Sequence, residues 1–270
     1  MGEHAILCVD AEAISGRLLE TFEKKALCQT VDFEDDEDAP DEDELAELDS
    51  LLVCAAADCV AAFADVFGEA FEPIMDTFLP HIARYTKPTF AVSERAMAVG
   101  CLAEISKGMG VAVTKYADAV FPLLTAALQD KDLEVRSNAA FGVGVFIEAA
   151  DVDAAPLFGD ILRALHPLIK ADDNAHNARD NAAGCVARLI LENAGAVPLG
   201  EVLPVWIGAL PIRGDHLEDL PVYDAVCHLL EHKRAEVEPF LPALLPVLRQ
   251  ALADPATLLS DRSRQRLAAL

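Results

Sequence analysis

Apolar residues recur every three or four positions along almost the whole chain, which is the signature of helices with one buried stripe. Short polar clusters break the pattern at Thr86-Lys87-Pro88, Asp130-Lys131-Asp132, Asp172-Asp173-Asn174 and Asp254-Pro255. These are turn signals, and they divide the chain into antiparallel helix pairs. The pattern predicts six: 5–29 with 44–67, 71–86 with 91–109, 113–129 with 132–150, 155–171 with 176–194, 199–210 with 217–233, and 235–252 with 256–269. The two members of a pair differ in kind. First helices carry a proline after a large apolar residue, at Pro80, Pro122, Pro167, Pro204 and Pro242. Such a residue deletes a backbone hydrogen bond and bends the helix. Second helices are rich in alanine and glycine, as in Ala139-Ala140-Phe141-Gly142-Val143-Gly144 and Ala182-Ala183-Gly184. Small side chains let helix axes approach closely.

The start of the second helix is repeated in sequence as well as in pattern. Arg136-Ser137-Asn138-Ala139-Ala140 returns 43 residues later as Arg179-Asp180-Asn181-Ala182-Ala183, and a further 43 from Asn181 lies Asp224-Ala225. Upstream, Arg95-Ala96-Met97-Ala98 precedes Arg136-Ser137-Asn138-Ala139 by 41 residues. A period of that length marks stacked two-helix repeats, each unable to bury its apolar face alone. The expected fold is therefore all-α, a superhelical solenoid of about six helix pairs, with residues 1–270 forming one array. First helices should take the convex side and second helices the concave side. Arrays of this kind grip other macromolecules and seldom build a catalytic pocket.

Composition sharpens this picture in three places. The net charge is −25, and twelve acidic residues fall between Asp32 and Asp49 with no basic residue among them. Setting those aside leaves 34 acidic against 21 basic residues, so the acidity also belongs to the folded part. Such a surface repels nucleic acid and anionic lipid and attracts basic proteins. The run 32–43 is expected to be a disordered acidic loop inside the first repeat, either a diffuse cradle for a basic surface or a solvating insert. Seven cysteines without a CxxC, set mostly among alanines and leucines, read as reduced core residues of the cytosol or nucleus. The mean hydropathy is positive, yet no uncharged apolar run of about 18 residues suggests a membrane span.

The first helix with an interior proline, the turn entry Asp132-Leu133-Glu134-Val135-Arg136 and the small-residue second helix together resemble the HEAT pattern. More specifically, four segments resemble karyopherin-β import receptors of the importin-4 type, in their C-terminal part. They are Ala56 through Pro73, Ser93 through Glu104, Glu134 through Gly144, and Ala178 through Gly184. The resemblance is best across about 50–195. It implies a nuclear import receptor shuttling between cytoplasm and nucleus with basic cargo, namely histones H3 and H4 held through the H3 tail, and also ribosomal proteins. It further implies that the Ran GTPase site belongs to N-terminal repeats outside this sequence, and that no cofactor is required.

An extended basic tail needs partners for its backbone and carboxylates for its lysines. Asparagine serves the first need because it both donates and accepts. Asn138 and Asn181, with Asp224 one period on, would form a ladder with rungs ~10 Å apart on the concave face. Acids sharing that face are Glu134 and Glu148 near Asn138, Asp180 and Glu192 near Asn181, Glu94 and Glu104 in the preceding repeat, and Asp58 earlier still. The competing reading is that the asparagines cap helices or bridge neighbouring turns, and that the acids are solvated or pair with arginine. Arg136 and Arg179 are assigned to holding adjacent repeats together. One string, His228-Leu229-Leu230-Glu231-His232, spells the inverted zincin motif HxxEH. Five residues are weak evidence, and only Glu236, Glu238, Asp254 and Asp261 follow as a third ligand. The chain is therefore read as a non-enzyme without a metal site. The alternative function is a HEAT scaffold subunit of a phosphatase or other assembly.

Overall fold

The computed structural model describes residues 11–30, 41–171 and 176–269, and among these every regular element is helical. The chain forms two compact units, Met1–Ala112 and Val113–Leu270. The first holds α1 (Ala11–Phe22), α2 (Glu42–Phe67), α3 (Glu72–Arg84) and α4 (Val92–Met109). The second holds α5 (Ala117–Ala127), α6 (Leu133–Ala149), α7 (Phe158–Ile169), α8 (His176–Asn193), α9 (Leu199–Ala209) and α10 (Asp219–His232). It ends with α11 (Arg234–Val237), α12 (Leu241–Ala253) and α13 (Asp261–Ala268). Most of the expected boundaries fall within a few residues of the observed ones. Of the expected acidic loop, residues 32–40 lie outside the described residues, as do 5–10 of the first expected helix and the Asp172-Asp173-Asn174 turn. Asp41, at the edge of that run, caps α2: its carboxylate accepts from the Glu44 backbone N–H at 2.8 Å and Glu44 reciprocates.

Second helices stack on one another through small residues. In the first unit, α4 lies along α2. The Cys101 thiol meets the Ala57 carbonyl at 3.4 Å, and Ser50 and Ser93 face each other at 3.2 Å. Gly108 sits so close to α2 that a Cβ there would lie 2.6 Å from the Ala64 carbonyl carbon and the Asp65 nitrogen. In the second unit α6, α8 and α10 stack in the same order, and α13 follows α10. First helices supply the bulky side chains. Phe22 of α1 packs edge-on against Phe78 of α3 at 5.9 Å, and Phe121 of α5 stacks on Phe146 of α6 at 5.0 Å. Trp206 of α9, fully buried, donates its indole N–H to the Ala183 carbonyl at 2.9 Å.

Three details depart from the sequence expectation. Pro80, Pro122, Pro167 and Pro204 do lie inside first helices, but Pro242 falls in the first turn of α12 and Pro246 takes the interior position instead. The reason is that the expected helix 235–252 is broken: α11 ends at Val237, and a 3₁₀ turn at Glu238–Phe240, with Pro239 at its start, resets the register. Second, two of the arginines that open second helices bond within their own repeat. Arg95 donates to the Phe90 carbonyl at 2.8 Å and Arg136 to the Asp130 carbonyl at 3.2 Å, each closing the turn that precedes its helix. Third, the stretches Asp43–Arg84 and Val92–Ala127 are long and apolar enough to cross a membrane by length and composition. Carboxylates such as Asp58 and Asp65 interrupt α2, and in the fold it packs as a core-forming helix against α4.

The close approach at Gly108 gives a direct test of stacking. Gly108→Ala should lower the urea midpoint, since a methyl group forced between two backbones costs ~1–3 kcal/mol. Gly200→Ala, where nothing lies within 4 Å, should leave the midpoint unchanged or raise it slightly.

Candidate functional site

The ladder residues sit where the repeat puts them, on consecutive second helices, but they do not share one environment. On α6, Glu134, Asn138, Phe141 and Glu148 follow one another at four, three and seven residues, which keeps them on one face. Glu134 and Glu148 are exposed; Asn138 and Phe141 are half-buried. Phe141 was not singled out from sequence. Its spacing from Asn138 was the available signal.

On α8 the equivalent face is covered. Asn181 is 8% exposed, and its amide nitrogen donates to the Ser137 carbonyl at 3.2 Å and to the Ser137 hydroxyl at 3.1 Å on α6. It bridges layers, a role that differs both from the ladder and from the capping or turn-bridging alternative. Asp180 is fully buried, and one of its carboxylate oxygens accepts three consecutive backbone N–H groups, from Arg213 (3.0 Å), Gly214 (2.6 Å) and Asp215 (3.2 Å). These belong to the connector between α9 and α10. One turn along α8, a Cβ on Gly184 would lie 1.4 Å from a carboxylate oxygen of Glu218, so only glycine fits beneath that side chain. One turn further, Arg188 (7% exposed) grips the fully buried Glu218 with two nitrogens, at 2.5 and 3.2 Å, and reaches Glu148 of α6 with its Nε at 2.8 Å. Asp180, Gly184 and Arg188 thus form a four-residue-spaced line that the connector overlies. Burial works against the Arg188 charge, but Glu218 and then Glu148 outweigh it, and its pKa is raised. The guanidinium also lies 5.8 Å above the Phe141 ring.

The remaining candidates divide between structural and outward-facing acids. Asp224 of α10 accepts from the hydroxyls of Ser260, at 3.1 Å, and Ser263, anchoring α13. Glu94 of α4 is half-buried and accepts from the Ala91 backbone N–H at 3.0 Å, helping to start its own helix. Glu192 and Asp58 are exposed, and Glu104 is exposed with Lys107 at 3.6 Å. Asp58, Glu94 and Glu104 share the first unit; the other seven belong to the second. His228, Glu231 and His232 lie on α10, where Glu231 is engaged by Arg266 at 2.6 Å. Among the described residues no three His, Cys, Asp or Glu side chains converge as a metal site.

The family description "importin subunit beta-1-like, TPR repeats" matches residues 47–141. A probable importin subunit beta-4 of Schizosaccharomyces pombe is 35% identical over 256 residues, covering 93% of this chain and 24% of that protein. Importin-4 of Homo sapiens is 33% identical over 242 residues, covering 89% and 22%. The chain belongs to the karyopherin-β (importin) family. It spans about a quarter of the length of the curated relatives it matches. The fold agrees: the karyopherin Kap121p in its complex with the SUMO protease Ulp1p superimposes with a TM-score of 0.69 over 96% of this chain and 23% of that one, at 17% identity. A designed armadillo repeat protein gives 0.60 over 93% of this chain. The all-α repeat solenoid of the karyopherins is therefore the architecture of this karyopherin too.

Two measurements test this arrangement. Arg188→Met should destabilise the karyopherin by ~3–5 kcal/mol, because it strands the buried Glu218 carboxylate. Adding Glu218→Leu should recover much of that loss in a urea titration, whereas equal instability of the double variant would contradict the pairing. Cys185, on the same helix, has its thiol pushed up to about 12 by burial. In the native protein it should resist alkylation at mildly alkaline pH while the exposed Cys28 and Cys59 are modified.

Proposed function

We propose that the chain is the cargo-binding, C-terminal region of a nuclear import receptor, and that it takes a lysine-rich extended segment of a basic protein such as the histone H3 tail. The carrying observation is the face of α6, where the exposed carboxylates of Glu134 and Glu148 flank Asn138 and Phe141 on a chain of net charge −25. Those carboxylates are fourteen residues apart, ~21 Å at the helical rise. A segment of about six extended residues reaches both. The amide of Asn138 offers donor and acceptor to the segment's backbone, and the Phe141 ring offers a face to a lysine stem or head. Glu192, also exposed, adds a further carboxylate on α8, and within the first unit Asp58 and Glu104 are exposed as well. Asn181, Asp180, Asp224 and Glu94 belong to this reading as residues that hold the repeats, rather than as direct contacts. Family membership supports the wider proposal: histones H3–H4 or ribosomal proteins as cargo, Ran GTPase acting through repeats outside this sequence, and shuttling between cytoplasm and nucleus. Crystal structures of Kap121p with Ulp1p and with Pho4p are precedents for protein partners on this fold.

A fluorescent H3-tail peptide titrated into the protein should bind, and binding should weaken steeply as salt rises towards ~0.15 M, where exposed charges more than ~8 Å apart are screened. Glu134→Gln, Asn138→Ala and Glu148→Gln together should raise Kd about ten-fold, from summed contributions of ~0.2–1 kcal/mol per ion pair and ~1 for the amide. Replacing the peptide's lysines with glutamine should do the same. Salt-insensitive binding, or an unaffected triple variant, would remove the basis of this reading.

A further inference from the structure

The string His228-Leu229-Leu230-Glu231-His232 has no part in the cargo reading, and its geometry says more than its spacing does. It forms the last turn of α10, which ends at His232. Four residues apart on one helix, the two histidines project from the same face. Their rings lie together, with centroids 4.7 Å apart and planes inclined at 54°. That separation has a chemical meaning. Two imidazoles on one metal ion, with metal–nitrogen bonds of ~2.0–2.1 Å and a right to tetrahedral angle between them, hold their centroids about 4.5–5.2 Å apart. The pair already stands at chelating distance.

Ring packing alone also tolerates 4.7 Å, so the surroundings decide. His228 is half-buried, and among the described residues neither of its ring nitrogens has a hydrogen-bond partner. A sheltered imidazole left in that state is ready to give a lone pair to something that arrives from solvent. His232 stands open to that solvent, its side chain 62% exposed. Between them, Glu231 is fixed. Arg266 of α13 holds its Oε1 at 2.6 Å, which leaves Oε2 at 3.8 Å from the His232 Nε2. A carboxylate beside a ligating histidine orients the ring and adds negative charge that favours a cation. The net charge of −25 draws cations to the chain in general.

We propose that His228 and His232 chelate one divalent transition-metal ion of the kind imidazole prefers, with zinc as its representative. Glu231 lies beside the ion, and water or a partner's side chain fills the remaining positions. Among the described residues no third protein ligand converges there. The site is therefore open and binds without catalysing. It clamps the last turn of α10, just ahead of the break at Lys233. The inference rests on α10 and α13 alone and is independent of the cargo reading.

Calorimetric titration of zinc chloride into the whole chain tests this, with the exposed thiols of Cys28 and Cys59 replaced by serine so that they do not compete. Zinc should bind, and it should raise the melting temperature, because only the folded turn holds both rings in place. His232→Ala and His228→Asn should each weaken zinc binding at least ~10-fold, since a chelate then falls to a single ligand. Each should also abolish the thermal shift. His232 is exposed, so its variant keeps the test intact if His228→Asn does not fold. An excess of magnesium, which prefers oxygen ligands, should not displace the zinc. Absence of zinc binding, or binding that His232→Ala leaves unchanged, overturns the proposal. Displacement by magnesium also overturns it, because carboxylates then hold the ion. Titration of the H3-tail peptide into the same variants reports the cargo reading separately.

Discussion

The structure depends on how closely the second helices approach one another. Where Gly108 lies on the backbone of Ala64 and Asp65 there is no room even for a methyl group, and at Gly184 the missing side chain makes space for a carboxylate. Contact this close removes water from the seam, so every polar group trapped there needs a protein partner. The seam supplies them across layers: the Cys101 thiol to the Ala57 carbonyl, the Asn181 amide to Ser137, the Trp206 indole to the Ala183 carbonyl. These bonds link residues 23 to 44 apart in sequence, and each fixes the register of one layer on the next.

The same constraint sorts the acids. A chain of net charge −25 pays for compactness in self-repulsion. Several carboxylates are therefore spent inside, each against a stated partner. Asp180 collects three backbone N–H groups of the α9–α10 connector, and Asp219, 1% exposed, meets the His216 ring nitrogen and the Leu258 N–H. Glu218 faces Arg188, and Asp224 holds the serines of α13. What remains outside on α6, Glu134 and Glu148, is available to a cationic partner. Glu148 does both jobs, since one oxygen is held by Arg188 while its side chain is 58% exposed.

Helix identity and boundaries were legible because the punctuation is chemical: aspartates that cap, prolines that cannot continue, and the arginines Arg95 and Arg136 that close the turns before their helices. That Asn138, Asn181 and Asp224 fall on consecutive second helices was legible for the same reason, since a 43-residue period carries equivalent positions to successive repeats. What surrounds them there was not. The α9–α10 connector is not a repeat, and nothing in the spacing announces that residues 213–218 fold back over α8. Glu218 and Arg188 are 30 residues apart, off the period, so their pairing had no signature. Arg136 was read as holding adjacent repeats together; it donates instead to the nearer carbonyl of Asp130, in the turn before its own helix. Pro242 and Pro246 are four residues apart, one helical turn, and sequence alone did not say which began the helix.

The account's central claim is that a basic extended segment lies on the face of α6 that carries Glu134, Asn138, Phe141 and Glu148. Site-specific photo-crosslinking tests it most directly, with a photoreactive side chain placed at position 141 or, as a control, at the exposed Leu157 ahead of α7. The account predicts an efficient crosslink from 141 to an H3-tail peptide, lost when its lysines are glutamines, and little or none from 157. Equal capture at both positions, or capture at 157 alone, would contradict it.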